Sequence, residues 1–321
     1  MTPKRNTRSG RRASGRRTRL RTALAIGAAA ASICVGTSPA LAQSPQYGPP
    51  QSNWESAVAY SVSAPEALPP GMNDFGCHPT SAHPRPLVLI NGAFLNAYAN
   101  WAMYSPRLHA AGYCVFGLDY GGPAGGPFHQ MGDMRASAAE IGRFIDRVRA
   151  ATHTDQVDLV GYSEGGLAPL YYLNVLGGSP RVHTMISLDS PVRGLSGYGV
   201  LAELSALPGG PQALGSVLPA AADGAAGSAF VSEMSRNGFT RPSLRYVSIT
   251  SRADLVVTPG EARLPEAPNV TNVITQDSCP QDQVFHGSVI YDDITLQLVL
   301  NALDPQHAVP PICHVVLPLV N

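Results

Sequence analysis

Lysine is all but missing from this 321-residue chain: the single one is Lys4, and every basic residue beyond position 42 is an arginine. Residues 1–42 hold Lys4 and eight arginines without one acid. In the remainder thirteen arginines face 22 acidic residues, a balance of −9 that the formal net charge of zero conceals. A surface of that sign is poorly suited to displacing counterions from a phosphate backbone, which argues against nucleic acid as a partner. Long apolar runs are also missing. None reaches the roughly 20 residues that cross a bilayer, so a membrane-spanning protein is not expected. Cysteine is scarce, at five, and no C-x-x-C pair occurs. Zinc ligation by Cys77-His78 or Cys313-His314 is therefore a weak reading. Neither is there an acidic ligand loop of the calcium-binding kind. What remains is 44% hydrophobic and 14% charged, enough to bury one sizeable core.

The first segment reads as an export signal. Arg5 to Arg21 form a basic stretch and Thr22 to Val35 a short alanine-rich apolar one. Ala40-Leu41-Ala42 then fits the small-x-small cleavage pattern, which places a mature N-terminus near Gln43. Arg16-Arg17 loosely resembles a twin-arginine signal, although Arg19 stands where that signal prefers an apolar residue. Cys34 would leave with the signal. The four cysteines left, Cys77, Cys114, Cys279 and Cys313, form an even set suited to an oxidising compartment. They allow three pairings. Cys77–Cys114 with Cys279–Cys313 is favoured because each closes a local loop, and in the chain-entropy treatment such a loop is worth roughly 3–4 kcal/mol.

Residues 43–84 are rich in Pro, Ser and Gln without a sustained period, and read as a segment that wraps the surface. Beyond them the pattern alternates. A continuous apolar run at 86–91, ending in Asn-Gly, predicts a strand buried on both faces, and further strands are expected at 113–118, 156–161, 182–188 and 244–250. Helical stretches are expected around 101–111, 165–176 and 287–303. A further helix over 133–152 carries Met134, Ala138, Ile141, Ile145 and Val148 at three- and four-residue spacings. Strands alternating with helices imply one α/β domain over 85–321 with a mainly parallel sheet. Residues 195–238 break the rhythm with Ala, Gly, Leu and Pro. They read either as a lid over an apolar pocket or as a helix pair packed on the core.

The sharpest motif is Gly161-Tyr162-Ser163-Glu164-Gly165, placed where a strand runs straight into a helix. G-x-S-x-G in that context marks a nucleophile elbow, which lifts a serine hydroxyl clear of the sheet. A serine hydroxyl is a poor nucleophile at its own pKa and needs a base, and the base needs an orienting acid. Among the downstream histidines, His183 precedes the expected acid, and His307 and His314 lie in a proline-rich tail. His286, in Phe285-His286-Gly287 just before the last helix, is the expected base. Asp254, on the loop leaving the fifth strand, is the expected acid; Asp189, which also follows a strand, is its rival. Backbone amides of Glu164 and of Ala93, in the loop after the first strand, are the expected oxyanion donors. Asn91-Gly92 also reads simply as a turn.

At these residues the chain resembles the secreted actinobacterial lipases and esterases of the α/β-hydrolase superfamily, and most closely the class 2 triacylglycerol lipases. Gly112 to Gly121, Leu173 to His183, Asp254 to Pro259, Asn269 to Pro280 and Leu298 to Pro305 carry the resemblance. It implies an α/β-hydrolase fold and a secreted serine carboxylic-ester hydrolase acting on lipid-like acyl esters, with transient contact at a lipid interface. It also implies Ser163 as nucleophile, Asp254 as acid, His286 as base and the two disulfides above. No cofactor is required for that chemistry. An extracellular acyltransferase using the same acyl-enzyme, and a non-catalytic binding protein on this scaffold, are the alternatives. Two positions depart from the family pattern: Asn91-Gly92 where it usually has His-Gly, and Tyr162 and Glu164 where it often has His and Gln. The Glu164 side chain is expected to point outward, into solvent.

Overall fold

The computed structural model describes residues 46–123, 125–197, 215–216 and 218–318. The expected export signal and its cleavage site lie outside the described residues, as do 198–214 of the apolar insert.

Six strands form one all-parallel sheet: β1 (Leu87–Ile90), β2 (Val115–Leu118), β3 (Val157–Tyr162), β4 (Val182–Leu188), β5 (Arg245–Thr250) and β6 (Val270–Ile274), in the order β2-β1-β3-β4-β5-β6. The apolar runs exist because both faces of the sheet are covered. Leu87 and Leu89 of β1 face one core, while Val88 and Ile90 face the other. The first core is built with α1 (Trp54–Ser63), α2 (Ala97–Trp101) and α3 (Tyr104–Ala110). The second is built with α4 (Met134–Thr152) and α5 (Glu164–Asn174), and α4 buries the five residues of the stripe that its spacing implied. Asp133 caps α4 by accepting from the Ala136 amide at 2.8 Å.

The described part of the insert contains α6 (Pro219–Gly224) and α7 (Ala229–Met234), both packed on the second core. Phe230 stacks on Tyr171 with ring centroids 5.0 Å apart, and Arg135 pairs with Asp223 and Glu233 at 3.0 and 3.1 Å. The closing helix, α8 (Asp293–Leu303), returns to the first core.

Two elements go beyond what the hydrophobic pattern implied. α1 lies inside the segment read as aperiodic, and of its ten residues only Ala57 and Ser61 are buried, so no apolar stripe marks it. β6 is an edge strand with Thr271 exposed and its other residues half-buried, Asn272 among them, and it lacks the apolar run of a central strand. The cysteines pair as Cys77–Cys114 and Cys279–Cys313, with Cα atoms 5.7 and 5.1 Å apart. The first bridge ties the N-terminal segment to the start of β2.

From β1 the chain moves outward to β2, then crosses back so that β3 pairs on the other side of β1. The strand order thus reverses between β1 and β3, and open α/β sheets bind ligands beyond the carboxyl ends of the strands at such a point.

Candidate active site

β3 runs into Ser163, and α5 begins at the next residue. Ser163 adopts φ 51° and ψ −122°, a conformation sparsely populated outside glycine. It is fixed from both sides. Its amide donates to the Leu188 carbonyl at 2.9 Å, and its carbonyl accepts from Ser190 Oγ at 2.6 Å and from the Gly166 amide at 3.0 Å. The turn leaves no room at its flanks. A Cβ at position 161 would lie 1.9 Å from the Gly165 carbonyl oxygen, and one at 165 would lie 2.1 Å from that of Ile90. Both motif glycines are therefore required by contact with backbone.

Ser163 Oγ lies 2.9 Å from His286 Nε2, and His286 Nδ1 lies 2.7 Å from Asp254 Oδ2. The other oxygen of Asp254 accepts from the amides of Val256 and Val257 at 2.6 and 2.9 Å. The Asp254 side chain is fully buried and that of His286 nearly so. A hydroxyl, an imidazole and a carboxylate in this line form the arrangement in which a base activates a serine and an acid fixes the base's tautomer.

The loop that carries His286 is held from several directions. Tyr162 Oη donates to the His286 carbonyl at 2.9 Å. Ser251 Oγ donates to the Val284 carbonyl at 2.6 Å, and Gln276 Nε2 to that of Asp282 at 3.0 Å. The Cys279–Cys313 bridge closes the segment, and the Gln283 amide donates to the Val316 carbonyl at 3.0 Å. The sequence carried no signal for the roles of Tyr162, Ser251 and Gln276 here, because each acts through hydrogen bonds across the fold.

The loop after β1 presses against the nucleophile: a Cβ on Gly92 would lie 3.1 Å from Ser163 Cβ and 2.7 Å from the Tyr162 ring. Asn91 is more than half of a turn dipeptide. Fully buried, it donates to the Leu118 carbonyl at 3.0 Å and to Asp119 Oδ1 at 2.8 Å, and accepts from Trp101 Nε1 at 2.8 Å. The Gly92 amide donates to Asn100 Oδ1 and the Phe94 amide to the His129 carbonyl, each at 3.0 Å. Between them the amide of Ala93 has no acceptor among the described residues, and neither has that of Glu164. Backbone N–H groups without acceptors are the kind of donor that a developing oxyanion needs.

The Glu164 side chain does not point into solvent. It is only 9% exposed, and its Oε1 has no hydrogen-bond partner. Burial pushes its carboxyl well above the usual range, and the charge of Asp223 adds to the effect. As the first residue of α5, its direction is set by the elbow's geometry, which overrides the preference of a charged group for water.

Asp189, the rival acid, makes no hydrogen bond to His286 among those of the described residues. It lies behind Asp254, completely buried at the end of β4, and ligand atoms of Asp189, Asp254 and His286 lie within 4.8 Å of one another. The other downstream histidines lie elsewhere. His183 contacts Asp158, near the start of β3, at 3.1 Å; His307 contacts Asp304 at 2.8 Å, and His314 lies 3.5 Å from Asp293. Phe94, Leu255 and Val256, carried by the loops that bear Ala93 and Asp254, are exposed and apolar.

The family model for Lipase (class 2) matches residues 84–299. No curated protein matches the chain. Among solved structures, it is similar to Aspergillus fumigatus lipase B, with 16% identity, a TM-score of 0.57 and 76% of this chain aligned to 56% of that one. It is also similar to Bacillus licheniformis lipase BlEst2. In the propeptide form of that protein the identity is 19%, the TM-score 0.54 and the coverage 75% of this chain and 54% of that one. In the mature form the values are 19%, 0.52, 70% and 94%. The chain thus spans just over half the length of the first two structures. What it shares with all three is the α/β-hydrolase fold.

Proposed function

The chain belongs to the class 2 lipase family, and from that premise we propose that it is an ester hydrolase: a secreted serine hydrolase of lipid-like acyl esters, such as triacylglycerols, with Ser163, His286 and Asp254 as its catalytic triad. The observation that carries the reading is the unbroken line from Ser163 Oγ through both ring nitrogens of His286 to Asp254, with steps of 2.9 and 2.7 Å.

In this mechanism Ser163 Oγ attacks the ester carbonyl carbon while His286 Nε2 takes the hydroxyl proton. The carbonyl electrons move to oxygen, where the amides of Ala93 and Glu164 receive the negative charge. Collapse of the tetrahedral species breaks the bond to the alkoxy oxygen. His286 returns the proton to that oxygen, alcohol leaves, and Ser163 holds the acyl group. Water then attacks with His286 as base, and the carboxylic acid and free serine are regenerated. Asp254 keeps the proton of His286 on Nδ1, so that Nε2 faces Ser163 as an acceptor. The apolar Phe94, Leu255 and Val256 favour acyl chains and a lipid surface over polar esters. Export rests on residues 1–42 and on the two disulfides, which suit an oxidising compartment.

The test is hydrolysis of 4-nitrophenyl esters from acetate to palmitate, below and above micelle formation. Wild type turns over the series with a preference for long chains, and Ser163→Ala loses roughly 10⁴–10⁶-fold in kcat while keeping its fold. Retained turnover in Ser163→Ala refutes the triad. A preference for short dissolved esters refutes the lipid-like substrate class and leaves the triad standing.

A further inference from the structure

The buried carboxyl of Asp189 has no part in the steps above, yet it lies directly behind the acid that orients His286. Asp189 is completely buried and has φ +39°, so the end of β4 holds it in a conformation that side chains rarely adopt. Its amide donates to the Ile249 carbonyl at 3.0 Å, and its Oδ1 accepts from the Ser251 amide at 2.8 Å. Its Oδ2 has no donor among the described residues, and a carboxylate oxygen of Asp189 lies within 4.8 Å of one of Asp254.

No other group nearby is free to serve Oδ2. The titratable groups facing Asp189 are Asp254, Asp282 and His286, with the phenols of Tyr104 and Tyr162. Tyr104 Oη already donates to the Val289 carbonyl at 3.1 Å, and Tyr162 Oη to that of His286 at 2.9 Å. The ring nitrogens of His286 are committed to Ser163 and Asp254. None of these neighbours is an arginine. A second carboxylate here would be desolvated and unpaired beside a like charge, an arrangement that costs several kcal/mol. Two carboxyls buried this close together share one charge. Three N–H donors converge on Asp254, counting His286, and one on Asp189, so the proton belongs on Asp189. Burial first, and the charge of Asp254 second, push its carboxyl well above the usual range, in the same direction.

We propose that Asp189 is a positioning residue of the triad: it remains protonated and donates its Oδ2 hydrogen to Asp254, so that the pair carries a single negative charge and Asp254 is held in place for His286. The proposal rests on the triad reading.

The experiment compares wild type with Asp189→Asn, Asp189→Leu and Asp254→Asn by following kcat/KM against pH on a soluble short-chain 4-nitrophenyl ester. The acid limb of that profile reports the free enzyme's base. Asparagine keeps a neutral donor at this position. Asp189→Asn therefore retains turnover within about threefold, with its acid limb unmoved. Asp189→Leu removes the donor. It loses roughly 10–100-fold in kcat with little change in KM, as is usual when a group that orients a catalytic residue is lost, and its acid limb moves to higher pH because Asp254 no longer shares its charge.

An acid limb that moves down by about one unit or more in Asp189→Asn overturns the proposal, because it means that a negative charge was removed. Wild-type kcat and an unmoved limb in Asp189→Leu overturn it as well, since the residue would then only fill space. If Asp189→Leu does not fold, the limb of Asp189→Asn still decides. Asp254→Asn separates the two readings. If it keeps full turnover, the triad fails and takes this proposal with it. If it is severely impaired while Asp189→Asn moves the limb, the assignment of Asp189 alone fails.

Discussion

Glu164→Gln keeps the shape of the buried side chain and removes its proton equilibrium, which makes it a direct probe of the carboxyl beside the nucleophile. Burial raises the Glu164 carboxyl well above the usual range in the folded protein. In the unfolded chain it titrates near 4.3. Between those two values the folded state binds a proton that the unfolded state has released, so stability falls as pH rises. The stabilisation is complete below the unfolded value and is lost once pH passes through the folded one. The slope for one such group is about 1.4 kcal/mol per pH unit. Glutamine does not titrate. The stability of Glu164→Gln relative to wild type therefore climbs by about 1.4 kcal/mol per unit, from about pH 5 up to the folded value. At roughly 2–4 °C per kcal/mol for a domain of this size, the gap in Tm widens by about 3–6 °C for each unit within that window. Thermal or urea unfolding of both proteins at pH 5, 6, 7 and 8, at constant ionic strength, measures it. Other buried acids such as Asp189 cancel in the difference. Parallel curves would refute the reasoning, for they would show that Glu164 titrates as a carboxylate in water. In the same series the kcat of wild type falls where Glu164 ionises, because a negative charge beside the oxyanion donors opposes the developing alkoxide, whereas that of Glu164→Gln does not.

Reduction acts on both bridges, which close loops with sequence separations of 37 and 34 residues. In the chain-entropy treatment each is worth roughly 4 kcal/mol, so reductant lowers Tm by more than about 10 °C, and an unchanged melt with thiols open to alkylation beforehand refutes both. Gly161→Ala puts a methyl group 1.9 Å from a backbone oxygen of the elbow. It destabilises by more than about 4 kcal/mol and abolishes turnover, and a folded, active variant would refute the tight turn.

What could be read in the sequence follows from how each feature is encoded. β1 shows as an unbroken apolar run because Leu89 and Ile90 must satisfy cores on opposite faces. β6 has a neighbour on one side only, so Thr271 and Asn272 are tolerated and no run remains to see. The elbow was legible because its geometry excludes any side chain at Gly161 and Gly165, a demand written directly in residue identity. The line from Ser163 to Asp254 could be drawn from chain order, because each member follows a strand or precedes a helix. Glu164 shows where such reasoning stops. Nothing local marks a charged residue as buried when the backbone turn on its N-terminal side decides its direction. Asp189 and Asp254 look alike in sequence, each an aspartate just past a strand, and only the packing of β4 against β5 sets one behind the other.

The loop that bears His286 has a temporal consequence. His286 meets Ser163 across 123 residues of chain, and the segment that carries it is closed by the bridge from Cys279 to Cys313. The elbow itself needs only β1, β3 and β4, with contacts from Ile90 to Ser190. A chain in which the segment from Cys279 to Cys313 has not yet folded can therefore hold a strained serine with no base beside it. On the triad reading, the base reaches the serine only when the loop closed by the Cys279–Cys313 bridge is in place.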